Sequence, residues 1–370
     1  MHQPPRLFLG ANHLACPGRR SVIQDLAERL RGYGYNSICA SRFHSGLLGG
    51  AHLLSIALLR RQQYDLAIID LYSGRAFLWG ETLAALFTAL RCPFIIVLRG
   101  GALPDFARRH GRRVRACLRK AAVVLTPSRY LLEQMCRYRT DLCLLPNAID
   151  LSSYTFAVRQ SPRPQLMWLR AFHEIYNPSM VPRVLALLEQ EFPHIHITMA
   201  GPDKGDGSLQ RMQKVAANAN VIERMTLSGV IPKTGVADWL HGGDVFLNTT
   251  NVDNTPVSIL EAMACGLCVV STNIGGIPYL LEDEQDALLV PPNNPEAMAF
   301  AVKRILTEPG LAEHLSRNGR RKVEQFDWPV ILPQWERLLV KVAGRTLGSG
   351  GSDTFANAGR SFGISPEREQ

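Results

Sequence analysis

The order of apolar and amphipathic segments in this 370-residue chain predicts an α/β protein built from two doubly wound parallel sheets, with a ligand cleft between them. Three observations carry that expectation. Short apolar runs alternate with amphipathic helical stretches, the pattern of parallel strands covered by helices on both faces. The alternation stops once, at Ser161-Pro162-Arg163-Pro164 after a Pro146-Asn147 turn, and then begins again. The length accommodates two domains of ordinary size. Two such sheets facing each other hold ligands in the crevice at the C-terminal ends of their strands.

In the first half, strands are expected at 7–10, 36–40, 66–70, 94–98, 123–126 and 142–145, and helices at 22–33, 52–61, 78–91, 105–120 and 129–137. Ser128 is placed to cap the last of these helices. In the second half, strands are expected at 165–169, 196–200, 225–228, 245–248, 268–271 and 287–290. Helices fall at 179–191, 209–218, 236–241, 257–264, 277–281 and 296–306. The domains are therefore drawn at 1–160 and 161–325, followed by a helix over 326–342. Residues 343–370, with Gly348-Ser349-Gly350-Gly351-Ser352, have too little apolar content to pack and are expected to be disordered.

Composition is that of an ordinary globular protein, 46% hydrophobic and 20% charged. The charge is unevenly spread: residues 1–160 hold 22 Lys/Arg against 9 Asp/Glu, a formal +13, and the remainder is −4. Such a split points to acidic material on one face. The densest run is Arg108, Arg109, Arg112, Arg113, Arg115, Arg119 and Lys120. At helical spacing Arg108, Arg112, Arg115 and Arg119 share a face suited to anionic lipid headgroups; the alternative is a solvated basic helix. Nucleic acid is not expected as a partner, because no stacking aromatics accompany the run. No apolar stretch approaches the ~20 residues of a membrane span. Leu7-Phe8-Leu9 is too short for a signal peptide, and Leu14-Ala15-Cys16 has no apolar region before it. A cytoplasmic protein is the expectation, peripheral at the inner face of a membrane if the basic face is free. The eight cysteines read as reduced core residues, and Cys265-x-x-Cys268 lacks a second pair for zinc.

The chemistry concentrates in residues 248–276, N-T-T-N-V-D-N-T-P-V-S-I-L-E-A-M-A-C-G-L-C-V-V-S-T-N-I-G-G. Asp253 and Glu261 stand eight positions apart, separated by the turn Asn254-Thr255-Pro256 and a helix start at Val257. Free N–H groups and the positive end of the helix dipole then lie beside Asp253, where an anion is favoured. Glu261 falls about one and a half turns into the helix. One carboxylate can hold a ribose and the other the sugar of a nucleotide-sugar.

The stretch resembles the E-x7-E region of retaining glycosyltransferases of the family 4 type, which have the GT-B fold. The resemblance continues through Glu261-Ala262-Met263-Ala264-Cys265-Gly266 and the Gly275-Gly276 turn, and covers about 165 to 330. Asp253 departs from the usual Glu, keeping the charge with one methylene less reach. The resemblance implies donor binding by Glu261, Asn254, Thr255, Pro256, Val257, Gly275 and Gly276, and contact of Asp253 with the transferred sugar. It also matches Arg170 to the Arg of the family's G-R-x4-K phosphate clamp. The clamp lysine is absent, with Ile175 and Tyr176 in its place; Lys204, after the next strand, is the candidate substitute, or else a surface residue beside Asp203. In the first domain Gly18 and Arg19 stand where the family has its glycine-rich loop. Arg99-Gly100 stands where a polar site residue is common, with pairing to Asp105 as the alternative for Arg99. Asp70, ending its strand, faces the cleft or serves as a cap.

The implied activity is transfer of a sugar from a nucleotide-diphosphate sugar to a glycan, lipid-linked or small-molecule acceptor, with retention of configuration. No cofactor or metal is expected, since the family needs no D-x-D motif and places cations on the leaving diphosphate instead. A sugar-nucleotide epimerase of the same fold and a non-catalytic binding subunit are the competing readings. No His cluster supports the first, and the missing clamp lysine leaves room for the second.

Overall fold

The computed structural model describes residues 4–10, 22–40 and 46–347. By internal contacts the chain divides into one unit of Met1–Pro146 with Leu332–Gln370, and a second of Asn147–Ile331.

The first unit holds a sheet of β1 (Leu7–Gly10), β2 (Ser37–Ala40), β3 (Leu66–Leu71), β4 (Phe94–Leu98), β5 (Val123–Thr126) and β6 (Leu142–Leu144), in the order β2-β1-β3-β4-β5-β6. Every pairing is parallel. Strands β1, β3, β4 and β5 are buried along their whole length, as continuous apolar runs in a sheet covered on both faces must be. Its helices are α1 (Val22–Gly32), α2 (Gly46–Leu59), α3 (Arg75–Ala89), α4 (Leu103–Arg109), α5 (Gly111–Arg119) and α6 (Arg129–Met135). Ser128 caps α6 as expected, its Oγ accepting from the Leu131 N–H at 3.1 Å.

The single helix expected over 105–120 is two helices, α4 and α5, broken at His110. His110 leaves helical geometry (φ −125°, ψ 36°). Gly111 then lets the chain approach the Tyr138 ring, which a Cβ there would meet at 3.1 Å. The four-arginine face is lost with the break. Arg108 pairs with Asp105 on α4, while Arg112, Arg115 and Arg119 belong to α5.

The second unit repeats the plan with β7 (Gln165–Leu169), β8 (His196–Ala200), β9 (Met225–Leu227), β10 (Val245–Asn248), β11 (Cys268–Thr272) and β12 (Leu288–Val290), ordered β12-β11-β10-β7-β8-β9 and again parallel. Alternation along β7 sends Leu166 and Trp168 into one core, with Val184, Met199 and Val302, and Met167 into the other, with Phe246, Ile259 and Val269. Helices α7 (Met180–Leu188), α8 (Ser208–Asn218), α9 (Val236–Leu240), α10 (Val257–Ala264), α11 (Ile277–Leu280), α12 (Pro295–Thr307) and α13 (Leu311–Glu324) complete it, and α14 (Trp328–Leu347) begins in it. The strand order reverses between β7 and β10, so the loops leaving those two strands run apart and open a crevice at the sheet's C-terminal edge.

The unit boundary differs from the sequence expectation of 160/161. Residues from Asn147 onward pack with the second unit: Ile149, Leu151 and Tyr154 join the Ile259–Leu260 core, and Arg159 pairs with Asp244 at 2.7 Å. The proline-rich stretch is pinned rather than free, because Arg163 donates to Asp244 through its backbone N–H (2.8 Å) and Nε (2.9 Å). The last helix is longer than the expected 326–342, running over Trp328–Leu347, with Asp327 Oδ1 accepting from the Leu151 and Trp328 N–H groups. The division at Ile331/Leu332 falls inside α14, just before Pro333. Residues 343–347 are thus helical, and 348–370 lie outside the described residues.

Helix α13 is absent from the sequence reading. Its inward face contains Ser316 and Gly319 among Leu311, Leu315 and Val323, so the apolar period is interrupted. Ser316 Oγ donates to the Gly266 carbonyl at 2.6 Å, and a Cβ on Gly319 would meet Met263 at 3.2 Å. The helix thereby braces α10. Among the described residues no helix is long and apolar enough to cross a membrane.

Candidate active site

Four loops at the C-terminal edge of the second sheet converge on the switch point. Arg170 follows β7, Gly201 follows β8, Asp253 lies beyond β10, and Gly275-Gly276 beyond β11. Arg170 and Asp253 form an ion pair, with side chains 11% and 12% exposed. The Arg170 backbone N–H donates to the Ala200 carbonyl at 3.1 Å, and its guanidinium Cζ lies 4.6 Å from the centre of the Tyr176 ring. Tyr176 occupies the stretch where a clamp lysine was sought. Its segment is fastened to the Asp253 loop: the Ile175 carbonyl accepts from Asn251 N–H at 2.7 Å, and the Tyr176 carbonyl from Thr249 Oγ1 at 2.7 Å.

The glycines at this edge are required by close approach. Gly275 (φ +58°) and Gly276 lie against the carbonyls of Asp253 and Asn254, and Gly201 (φ +147°) against that of Arg170; a Cβ on any of them would collide with backbone. The Gly276 N–H also donates to the Asp253 carbonyl at 3.1 Å. The turn therefore fixes the height of the Asp253 loop above the sheet. Asp253 Oδ1 accepts from the Asn254 N–H at 2.8 Å, leading into Pro256 and the start of α10. The hydroxyls of Thr255, just before the helix, and Ser258, in its first turn, are buried and have no hydrogen-bond partner among the described residues.

Glu261 sits in the fifth position of α10, buried at 5% exposure. Its Oε1 accepts from Tyr154 Oη at 3.0 Å and forms an ion pair with Lys233. Burial, and then the Glu261 charge, push the Tyr154 phenol pKa well above its usual range. Neither partner was found in the sequence. Tyr154 lies in the segment given there to the first domain. Lys233, in Ile231-Pro232-Lys233, follows β9 at the same sheet edge, and that placement is the signal that could have found it.

Lys204 is exposed, and its backbone N–H donates to the Phe172 carbonyl at 3.1 Å, two residues beyond Arg170. The structure thus brings together Arg170, Asp253, Asn254, Gly275 and Gly276, and separately Glu261 with Lys233. In the first unit Arg99 pairs with Asp70 at 2.9 Å, both buried. This replaces the Asp105 alternative, since Asp105 is engaged by Arg108. Burial raises the Asp70 pKa, opposed by the Arg99 charge. Gly100 (φ +83°) turns the chain immediately after. Gly18 and Arg19 lie outside the described residues. Cys265 and Cys268 pack in the core, where burial pushes both thiols up to about 12. Among the described residues no three His, Cys, Asp or Glu side chains gather as a metal site.

Two six-stranded parallel sheets with this site at a switch point define the two-domain α/β class of GT-B proteins. The fold matches sucrose-phosphate synthase from Thermosynechococcus elongatus with a TM-score of 0.78 at 18% identity, covering 92% of this chain and 99% of that one. It also matches Anabaena HepE, solved in complex with UDP, with a TM-score of 0.73 at 15% identity, covering 91% and 100%. Residues 159–322 match the family model described as Glycosyl transferases group 1. A D-inositol 3-phosphate glycosyltransferase of Paenarthrobacter aurescens is 25% identical over 68% of this chain and 65% of its own length. A phosphatidyl-myo-inositol mannosyltransferase of Mycobacterium tuberculosis is 24% identical over 57% of each. The chain spans about a third to just under two thirds of the length of the curated relatives it matches first, from 34% to 65%.

Proposed function

We propose that this chain is a retaining glycosyltransferase of the family 4 type that uses a nucleotide-diphosphate sugar. The observation that carries the reading is the Arg170–Asp253 pair at the switch point, set above Gly275-Gly276 and followed by α10 with Glu261. In this proposal Glu261 holds the ribose, and Asn254, Thr255, Pro256 and Val257 present the helix start and its hydroxyls to the donor. Asp253 contacts the transferred sugar. Arg170 moves its guanidinium onto the diphosphate, where a fork of two N–H groups neutralises the charge that develops as the leaving group departs. Lys204 supplies a second cation from the neighbouring loop. Acceptor attack occurs on the face from which the diphosphate leaves, and the diphosphate takes the acceptor proton. Positive side chains then do what a metal does in other transferases, so metal-independent transfer is part of the proposal.

The acceptor is proposed to be a glycan, a lipid-linked glycan or a small molecule bound on the first unit, where Arg99 and Gly100 line the strand edge. Support comes from relatives named for inositol-phosphate and phosphatidylinositol acceptors. A peripheral contact with an anionic membrane from the cytoplasmic side belongs to the same proposal, motivated by the +13 of residues 1–160. Titration with a panel of nucleotide sugars, then a product search with NMR assignment of the new anomeric centre, tests the reading. Binding of a nucleotide sugar and a product with the donor's configuration is expected. An inverted product, or no nucleotide binding at all, overturns it.

A further inference from the structure

A cavity of about 330 Å³ lies in the first unit, lined by Arg115, Arg119, Arg137, Tyr138, Arg139 and Asp141. Its residues come from the end of α5 and from the loop leading into β6, so it sits at the N-terminal edge of β5 and β6. Asp70 and Arg99 mark the opposite edge of the same sheet. Four guanidinium groups therefore face one carboxylate.

Two of the arginines build the walls. Arg139 forks onto Asp141 through Nε and Nη2 at 2.7 and 2.9 Å, and its Nη1 donates to the Leu118 and Ala121 carbonyls at 2.5 and 2.7 Å. This consumes the only acid of the lining and turns the carbonyl end of α5 toward a guanidinium rather than toward the cavity. Arg115 lies over the buried Tyr138 ring (5.9 Å to the centroid) and donates one N–H to the Arg137 carbonyl at 3.3 Å. That contact holds its plane and leaves its other donors available. Arg119 and Arg137 are exposed and have no acidic partner among the described residues. Like charges gathered at one concavity repel unless an anion sits between them. A guanidinium matches phosphate oxygens by paired N–H donors.

We propose that this cavity is a phosphomonoester site, in which Arg115, Arg119 and Arg137 bind the doubly charged phosphate of a phosphorylated ligand or of a phosphatidate headgroup. It is separate from the donor site and does not depend on the transferase reading. The test is titration of the full chain with inorganic phosphate, followed through the arginine Nε–H resonances. Arg115, Arg119 and Arg137 are expected to shift, with affinity at least about tenfold weaker in Arg119→Gln/Arg137→Gln. Arg109→Gln/Arg112→Gln removes the same charge outside the cavity and is expected to bind like wild type. Unchanged melting temperatures confirm that both exposed pairs leave the fold intact. Sedimentation with phosphatidylcholine vesicles doped with phosphatidate or with phosphatidylglycerol to the same surface charge separates the sources. Preference for phosphatidate, lost in the cavity variant, assigns the headgroup; phosphate binding without vesicle preference assigns a soluble ligand. If phosphate affinity is the same in all three proteins, or falls equally in both variants, the site does not exist.

Discussion

Glu261→Gln separates a ligand-binding carboxylate from a packing one, because the amide keeps an acceptor for Tyr154 Oη and loses only the charge. Lys233 has a side chain 36% exposed, so its ammonium can return to water, whereas the Glu261 side chain is 7% exposed. The stability cost is therefore nearer to a screened pair than to a buried one, about 1 kcal/mol. For a domain of this size that lowers the melting temperature by about 2–4 °C. A charge-assisted hydrogen bond from a ribose hydroxyl contributes about 1.5–3 kcal/mol, so the same variant should weaken nucleoside-diphosphate binding about ten- to a hundredfold. Lys233→Met is the companion measurement. Among the described residues it leaves the charged carboxylate with Tyr154 alone beside it, and stranding a buried charge costs more than neutralising it, here about 1–3 kcal/mol after allowing for exposure. Calorimetric titration and thermal melts on both variants read the two quantities apart. If Glu261→Gln melts lower but binds every nucleotide as wild type does, Glu261 is a structural ion pair and the ribose assignment is wrong.

Asp253→Asn should cut turnover by about tenfold or more while nucleoside-diphosphate affinity changes little, because a sugar contact worth about 1.5–3 kcal/mol is lost; full turnover would remove Asp253 from the chemistry. Arg170→Ala and Lys204→Ala should each slow transfer, and the double variant should depart from additivity by at least about 0.5 kcal/mol; wild-type kinetics for Lys204→Ala returns that lysine to the surface. Transfer should persist at full rate after exhaustive chelation, and loss of rate restored by a divalent cation counts against charge neutralisation by side chains alone. Asp244 should give an acid limb to stability: burial pushes its pKa up, but the Arg163 hydrogen bonds and the Arg159 charge outweigh this and hold it below the ordinary 3.8. A depressed folded-state value stabilises above the unfolded pKa and is lost as pH falls through the folded one. Asp244→Asn should thus be less stable near neutrality and lose less on acidification below about pH 4; parallel melting curves for the two proteins refute it.

The strands were legible because each is a short apolar run that a doubly covered sheet needs. Observed β1, β4, β5, β7, β8 and β10 have the bounds the sequence predicts. The helices were less legible where their buried faces carry small or polar residues. Helix α13 turns Ser316 and Gly319 inward because α10 lies too close for larger side chains, and the apolar period that would announce a helix is sacrificed to that contact. The break at His110 has the opposite origin. The arginine-rich segment on either side of it is helical by local preference, but Gly111 is weak in a helix interior and lies against the Tyr138 ring, more than twenty residues away in sequence, where one helix becomes two.

The candidate site divides along the same line. Asp253, Glu261, Gly275 and Gly276 fall in one contiguous block whose spacing can be read directly, and Arg170 follows a recognisable strand. What spacing cannot reveal is how the acids are held. Tyr154 reaches Glu261 across 107 positions, and it does so because residues after Asn147 fold onto the second unit rather than linking it to the first. Lys233 arrives from a third loop, after an edge strand only three residues long. Tyr176, next to Ile175 where the resemblance places a lysine, is the ring against which Arg170 lies. The segment that departs from the family pattern therefore also places the Arg170 guanidinium. A planar guanidinium gains from an aromatic face what an ammonium neighbour would deny it by repulsion. In the proposed reading the Tyr176 face steadies Arg170, and a second cation for the diphosphate comes from another loop, that of Lys204.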